Sequence, residues 1–333
     1  MAGRRGGVAE HLVTAAGLRL ETLAVSGIDL ARPATAVRAA AMLPGSVLAA
    51  RRLLRRTAAD VVVGAGGYVS VPVVTAAALL RIPVVLMEQN AVPGRATRLL
   101  AGRARAVATA FDETGTHLRG AHVVVTGVPV RREVLELAPA PQRPRCTHLL
   151  VMGGSQGART LNRAVAGFVR DILSEHDELR ITHQSGALDA EAAQRVAATL
   201  PPALAARYTV AAFFTDIAER IAASDLVLMR AGGASLAECA VLGRPMILVP
   251  YPHARGHQAH NARPYVAAGA AVAVPDEACT SQRLHSEVAA VVRDDERFRA
   301  MGRASAALGR PHAADDLVDL IVGAAERRHS PAP

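Results

Sequence analysis

The sequence predicts an α/β protein built from two doubly wound, Rossmann-like domains facing a cleft. Three observations carry that expectation. Short runs of Val, Ile, Leu and Met recur along the 333 residues, each ends in a glycine-rich or polar loop, and each is followed by an Ala/Leu-rich stretch of helical composition. Strands that are apolar at consecutive positions are buried on both faces, as in parallel sheets covered by helices. A chain of this length also exceeds what one hydrophobic core ordinarily serves. In such sheets ligands bind beyond the carboxyl ends of the strands, where these loops lie.

Taken in order, Val61–Val63 precedes GAGG, Val84–Met87 precedes EQN and Val123–Val125 precedes TGVP; these form the first sheet. Leu149–Met152 precedes GGSQG, Ile181–His183 precedes QSG, Leu226–Met229 precedes RAGG and Met246–Val249 precedes PYPH; these form the second. Between them lies Leu137–Thr147, whose Pro139, Pro141 and Pro144 cannot continue a helix or a central strand. The domain boundary is therefore expected there, with a first domain over 1–138 and a second over 145–310. The remaining segment, 311–333, reads as a helix around Ala313–Arg327 that crosses back onto the first domain, followed by a frayed HSPAP tail.

Composition narrows the class. Aromatics make up only 3% and Trp is absent, so the cores must be built from Ala, Val and Leu. Every basic side chain is Arg, and the net charge of +9 favours an anionic partner: nucleic acid, a phosphorylated substrate or anionic lipid. No basic motif is interleaved with aromatics, which argues against nucleic acid. Cys146, Cys239 and Cys279 are widely spaced without C-x-x-C, a pattern that fits a reduced cytosolic compartment. No apolar run reads as a signal peptide or a membrane span; the longest, around Val71–Met87, is broken by Pro72, Arg81 and Pro83.

The chemistry concentrates in residues 230–261, RAGGASLAECAVLGRPMILVPYPHARGHQAHN. Gly232 and Gly233 let backbone approach a diphosphate, and the helix beyond them offers unpaired N–H groups and a positive dipole end. Glu238 can accept from both ribose hydroxyls, while Gln258 and Asn261 can read sugar hydroxyls. A ligand-free alternative stands beside this: Ser235 and Glu238 also fit a capping box. In Gly153–Gly157 the Ser155 hydroxyl can reach a phosphate or simply cap the next helix. The spacing is not G-x-G-x-x-G, so a dinucleotide fingerprint fits worse. In Phe213–Ile217, backbone at Phe214 can pair with a uracil edge, or the pair of Phe can staple a helix capped by Thr215 or Asp216.

In the first domain, Gly64–Ser70 and Glu88-Gln89-Asn90 are the corresponding loops. Glu88 is either an acid/base group or a solvent-facing carboxylate, and Asn90 can hold a sugar hydroxyl. His253, His257 and His260 have no Asp, Glu or Cys beside them and read as polar loop histidines, with no metal expected. Val37–Arg56 is amphipathic with Arg51, Arg52, Arg55 and Arg56 at its end. It either rests on anionic headgroups through Leu43, Val47, Leu48, Leu53 and Leu54, or is a solvated helix face.

The motifs GAGGYVSVP, EQNAVPG, GVPVR, VMGGSQGARTLN, THQSG, MRAGGASLAE and HQAHNA stand in the order seen in the MurG family, which the chain resembles from about residue 3 to about residue 310. Those enzymes move N-acetylglucosamine from UDP-GlcNAc onto lipid I, giving lipid II in peptidoglycan synthesis. The resemblance implies a GT-B fold, with UDP-GlcNAc held mainly by the second domain and the lipid-linked acceptor by the first. It also implies inverting, metal-independent transfer to the muramyl 4-hydroxyl without a cofactor, by a peripheral protein at the cytoplasmic face of an anionic membrane. By motif, Glu238 holds the ribose, and Gly233, Ala234, Ser235, Leu236 and Ala237 line the phosphate and nucleotide. Ser155 touches the diphosphate, with Arg230 near, Phe214 the uracil, Gln258 and Asn261 the sugar, and Arg131 the nucleotide side. Asn90 reaches the donor sugar from the other domain, Glu88 is the candidate catalytic group, and Gly66, Gly67 and Tyr68 lie on the acceptor side.

Departures from the family pattern set further expectations. No GGTGGH-like loop is present, and GRRGG at residues 3–7 resembles the family's second-strand exit. One strand–loop–helix unit is thus expected to be absent, leaving the first domain incomplete with a gap in its sheet. An internal start or a fragment, or else an inactive nucleotide-sugar-binding paralogue, would account for it. Met87 replaces a usual His, Val128 an Asn, and Gly256 an Asp, which leaves a relative with another lipid or natural-product acceptor as the second enzymatic reading.

Overall fold

Both-face burial turns the apolar runs into parallel strands, and among the described residues every strand pairing is parallel. The computed structural model describes residues 1–4, 13–14, 16–25, 33–154, 157–252 and 256–329. They divide into two compact units, one of residues up to Gly127 together with the chain from Ala314 onward, the other of Val128–Ala313.

The first unit opens with β1 (Ala2–Arg4) and β2 (Glu21–Leu23), which pair with each other. Then come α1 (Pro33–Arg56), β3 (Val62–Gly64), α2 (Gly67–Leu79), β4 (Val84–Glu88), α3 (Arg95–Leu100), β5 (Ala106–Thr109) and β6 (Val123–Val125). Strands β3-β4-β5-β6 form a separate sheet in that order. Among the described residues no strand bonds β1 or β2 to it, so this unit holds two sheet fragments. Leu23, Ala50, Leu54, Val62, Val74, Val84 and Leu86 pack together in a core.

The packing of α1 corrects part of the sequence reading. Leu54 is buried in the core and Val47 packs against it, so neither is available to a membrane. Val37, Leu43 and Leu48 remain on the outside, next to exposed Arg52 and Arg55.

The second unit contains α4 (Arg132–Glu136), β7 (His148–Met152), α5 (Arg159–Glu175), β8 (Arg180–Gln184), α6 (Ala190–Thr199), α7 (Pro202–Ala205) and β9 (Tyr208–Ala211). It continues with α8 (Ile217–Ala223), β10 (Leu226–Met229), α9 (Gly233–Val241), β11 (Met246–Leu248), α10 (His257–Ala267), β12 (Ala271–Ala273), α11 (Ser281–Val292) and α12 (Asp295–Ala307). The sheet order is β12-β11-β10-β7-β8-β9. Successive strands run outward in opposite directions from β7 and β10, which makes their junction the topological switch point where such sheets bind ligands. Met152 and Met229 end those two strands side by side, so Gly153 and Arg230 emerge together. The core beneath is aliphatic, with Leu149, Val151, Leu161, Phe168, Ile172 and Ile181 fully buried.

The division between the units lies ten or more residues before the expected boundary, after Gly127. The Pro-rich segment is not a linker but is bonded onto the second unit. The Pro141 carbonyl accepts from the buried Arg244 guanidinium at 3.1 Å, and Gln142 Nε2 donates to the Phe298 and Arg299 carbonyls at 3.4 Å. The last helix, α13 (Ala313–His329), belongs to the first unit, where Leu317 and Ala324 cover Val85 and Ala108. Val85 faces this helix while its neighbours Val84 and Leu86 face the other core, so β4 is covered on both sides.

Candidate functional site

A cavity of about 750 Å³ opens at the switch point, entirely within the second unit. Its floor is the backbone that leaves β7 and β10, because in both places the sequence turns to glycine. At Gly157 the φ is +86°, and a Cβ there would sit 2.6 Å from the Ser185 carbonyl oxygen. At Gly153 a Cβ would lie 2.9 Å from the Ala158 nitrogen. No other residue allows this loop to fold so close to the strand ends. Helix α5 starts beyond it with Ala158 at its cap, and Ser155 lies outside the described residues.

Helix α9 decides between the two readings of Glu238. Its cap is Gly232, and no side chain satisfies the first turn. The Ser235–Glu238 capping box is thus absent, and the amides of Gly233, Ala234 and Ser235 have no partner within the helix. Ser235 and Gly232 line the cavity, whereas Leu236 is fully buried and packs into the protein. Glu238 lies on the second turn, lines the cavity, and has a side chain only 10% exposed. Its carboxylate is held by Arg131, with Nε 2.7 Å from Oε1 and Nη2 2.9 Å from Oε2. The raised pKa of Arg131 has this hydrogen bond as its main cause.

Arg230 also lines the cavity, and its Nη1 donates to Asp276 Oδ1 at 2.5 Å and to the Val249 carbonyl at 2.9 Å. Thr160 Oγ1 braces the other oxygen of Asp276 at 3.3 Å. Arg159 faces Asp189 at 3.9 Å. Among the described residues, the three arginines lining the cavity are each opposed by one of three carboxylates. Gln258, at the start of α10, accepts from the Tyr251 amide at 3.0 Å and reaches the cavity wall.

Several expected contacts are corrected. Asn261 is completely buried and does not line the cavity; its Nδ2 donates to the Ala231 carbonyl at 3.3 Å, which supports the turn before Gly232. The Phe214 ring is buried under the Arg220 guanidinium, 3.8 Å from the ring centroid. Its amide donates to Gln184 Oε1 at 3.0 Å, so Gln184, which does line the cavity, stands in front of it. Asp216 bonds Arg220 rather than capping α8 with its side chain.

Glu88, in the first unit, is not solvent-facing. It is buried, with Oε1 accepting from the Asn90 amide at 3.1 Å and Asn90 Nδ2 at 3.0 Å. Oε2 accepts from the Gly94 amide at 2.9 Å and Thr97 Oγ1 at 2.7 Å. Four donors saturate this carboxylate, which organises the loop after β4 and turns Asn90 toward itself. Gly66 and Gly67 take φ of 84° and 73° at the start of α2, with open space where Cβ atoms would be, and Tyr68 is 40% exposed beside them. Among the described residues no cluster of His, Cys, Asp and Glu could hold a metal, and His253 lies outside them.

Sequence reasoning missed Gln184, Asp189, Asn162 and Asp276. Asn162 and Gln184 sat inside recognised motifs, but only the fold shows that the buried Asn162 amide ties the glycine loop to the loop after β8. Asp276 carried no local signal.

Comparison with known proteins follows the same division. Residues 148–317 match the glycosyltransferase family 28 C-terminal domain, and residues 3–109 match its N-terminal domain. A UDP-N-acetylglucosamine–N-acetylmuramyl-(pentapeptide) pyrophosphoryl-undecaprenol N-acetylglucosamine transferase of Anaeromyxobacter sp. (strain Fw109-5) is 38% identical over 331 residues, covering 98% of this chain and 85% of that protein. A protein of the same description from Rhodospirillum centenum (strain ATCC 51521 / SW) is 44% identical over 302 residues, covering 86% and 77%. The crystal structure of Acinetobacter baumannii MurG matches with a TM-score of 0.76 at 28% identity, over 97% of this chain and 90% of that one.

Proposed function

The chain belongs to the MurG family of glycosyltransferase family 28, two Rossmann-like units of the GT-B class, and from that premise we propose how its second unit performs the family reaction. The protein is a hexosyltransferase that moves N-acetylglucosamine from UDP-GlcNAc to lipid I, giving lipid II for peptidoglycan. The observation that carries the site assignment is the meeting, at one switch point, of two uncapped helix N-termini and a half-sequestered carboxylate.

In this reading the diphosphate sits over Gly153–Gly157 and Gly232–Ser235, where backbone amides and two helix dipoles converge. Glu238 accepts from the ribose hydroxyls. Gln184 and the backbone at Phe214 face the uracil, and Gln258 faces the sugar. Asn90 and the Gly66–Tyr68 turn are assigned to the acceptor and donor-sugar side. As the muramyl 4-hydroxyl oxygen bonds to C1, the bond from C1 to the phosphate oxygen breaks and charge grows on departing UDP. Fixed amides and Arg230 stabilise that charge without reorganising, which is where such a site gains most of its rate. The Glu88 carboxylate, held by its four donors, positions its loop, and the hydroxyl proton is released to bulk water as the new bond forms.

No helix among the described residues is long and apolar enough to cross a membrane. In this reading the lipid-linked acceptor is met at the membrane surface. We assign that contact to the outward face of α1, where Val37, Leu43 and Leu48 lie beside Arg52 and Arg55.

The test is transfer itself. Purified protein given UDP-GlcNAc and a soluble lipid I analogue is expected to release UDP and form the disaccharide product. UDP release only with a different acceptor, or tight UDP binding without turnover, would overturn the acceptor assignment or the activity respectively.

A further inference from the structure

The carboxylate assigned to ribose already has a partner within the protein. Arg131 engages both oxygens of Glu238 as a fork, and with the Glu238 side chain only 10% exposed the guanidinium covers the edge that a sugar would approach. A ribose and Arg131 therefore compete for the same lone pairs.

The arginines around the cavity differ in how firmly they are held. Arg230 is 13% exposed and is fixed by Asp276 and by the Val249 carbonyl. Arg131 is 44% exposed, and among the described residues Glu238 is its sole hydrogen-bond partner. It projects from the extended cap residue of the short helix α4, on a long side chain that can swing without moving the backbone. It lines the cavity that also takes in the backbone of Gly153, Gly154, Gly157 and Gly232.

From this we infer that Arg131 is an exchangeable latch: the incoming ribose displaces it from Glu238, and the released guanidinium then grips the diphosphate of the same ligand. The inference rests on the assignment of Glu238 to ribose given above. It adds that the nucleoside and diphosphate halves bind cooperatively, because the first half must break the ion pair before the second can use its cation. Arginine suits this exchange, since its planar fork matches a carboxylate and a phosphate equally well.

The experiment compares uridine, which has no phosphate, with UDP, by ligand-observed NMR and calorimetry on the full-length protein and on Arg131→Ala. Removing the latch removes a competitor, so uridine is expected to bind about 2- to 5-fold more tightly, the worth of a partly exposed ion pair. UDP is expected to bind roughly 10-fold or more weakly, the loss of a charge-assisted contact. A residue with a merely structural role would move both affinities the same way.

Salt gives a second readout. Uridine is uncharged, yet its affinity for the unaltered protein should rise with ionic strength as the Arg131–Glu238 pair is screened, and should be flat in the variant. If Arg131→Ala does not fold, Arg131→Gln carries the same test with volume and one hydrogen bond retained. Parallel weakening of uridine and UDP, or no change in either, overturns the latch alone. Failure of the unaltered protein to bind both ligands overturns the assignment of the site and the latch with it.

Discussion

Asn162 Nδ2 lies 2.7 Å from the Ser185 carbonyl oxygen, so the first turn of α5 is bolted to the loop that follows β8. Its second proton goes to Asp189 Oδ2 at 2.8 Å, which leaves Oδ1 to face His183 Nε2 at 3.0 Å. Nε2 must then carry the ring proton, and Nδ1 accepts from the Tyr208 hydroxyl at 2.7 Å. One buried amide thus fixes the tautomer of a histidine and the shape of the glycine loop above it.

Asn162→Ala strands the Ser185 carbonyl, Asp189 and His183 together. Leaving buried polar groups unpaired costs about 1–3 kcal/mol each, so a stability loss of roughly 3 kcal/mol or more is expected in urea denaturation. UDP affinity should fall as well, since the Gly153–Gly157 backbone loses its anchor. Unchanged affinity in a folded variant would separate this network from the site.

Burial holds the His183 pKa down at about 4, against an ordinary value of 6.5. The unfolded chain takes up this proton below its own pKa while the folded protein refuses it until about pH 4. Stability is therefore lost as pH falls between those two values and levels off below them. The full effect is about 3 kcal/mol. His148 and His176 are lowered in the same direction by burial and add to the slope. Stability measured against pH should fall less steeply in His183→Gln than in the unaltered protein; equal slopes would mean that this histidine does not titrate on unfolding.

Two glycine substitutions should separate folding from binding. Gly232 has φ of −74° and open space where its Cβ would go, so Gly232→Ala should melt like the unaltered protein yet lose UDP affinity, because the methyl enters the cavity. Gly157→Ala forces a positive φ and a clash with the Ser185 carbonyl, and should lower the melting temperature by several degrees. Thermal melts and titrations of both variants check the pair.

On the outside of α1, Leu43→Ser with Leu48→Ser should leave the melting temperature unchanged and weaken sedimentation with anionic vesicles. Leu54→Ser removes a core residue instead and should destabilise the fold. Vesicle binding that ignores the first pair would remove α1 as the membrane contact.

Local pattern carried the fold where strands are rich in Val, Leu and Met, as in Leu226–Met229 and Val84–Glu88. It gave no sign of Ala106–Thr109 or Ala271–Ala273, because alanine favours helices and buries little surface to mark a strand. The site divides similarly. Gly153, Gly157 and Gly232 announce close backbone approach in the sequence itself, but the state of Glu238 depends on Arg131, 107 residues away. The S-x-x-E spacing even suggested a local partner that the Gly232 cap leaves unused. Glu88 misled for the same reason, since its donors at Gly94 and Thr97 become neighbours only once the loop closes.

The most direct measurement is a titration of UDP against 2′-deoxy-UDP into the unaltered protein and into Glu238→Ala. If this carboxylate reads the ribose, the unaltered protein prefers UDP by about 10-fold, the worth of one hydrogen bond to a charged group, and the variant binds both alike. Equal affinity for the two nucleotides in the unaltered protein, or a preference that survives loss of the carboxylate, would contradict it.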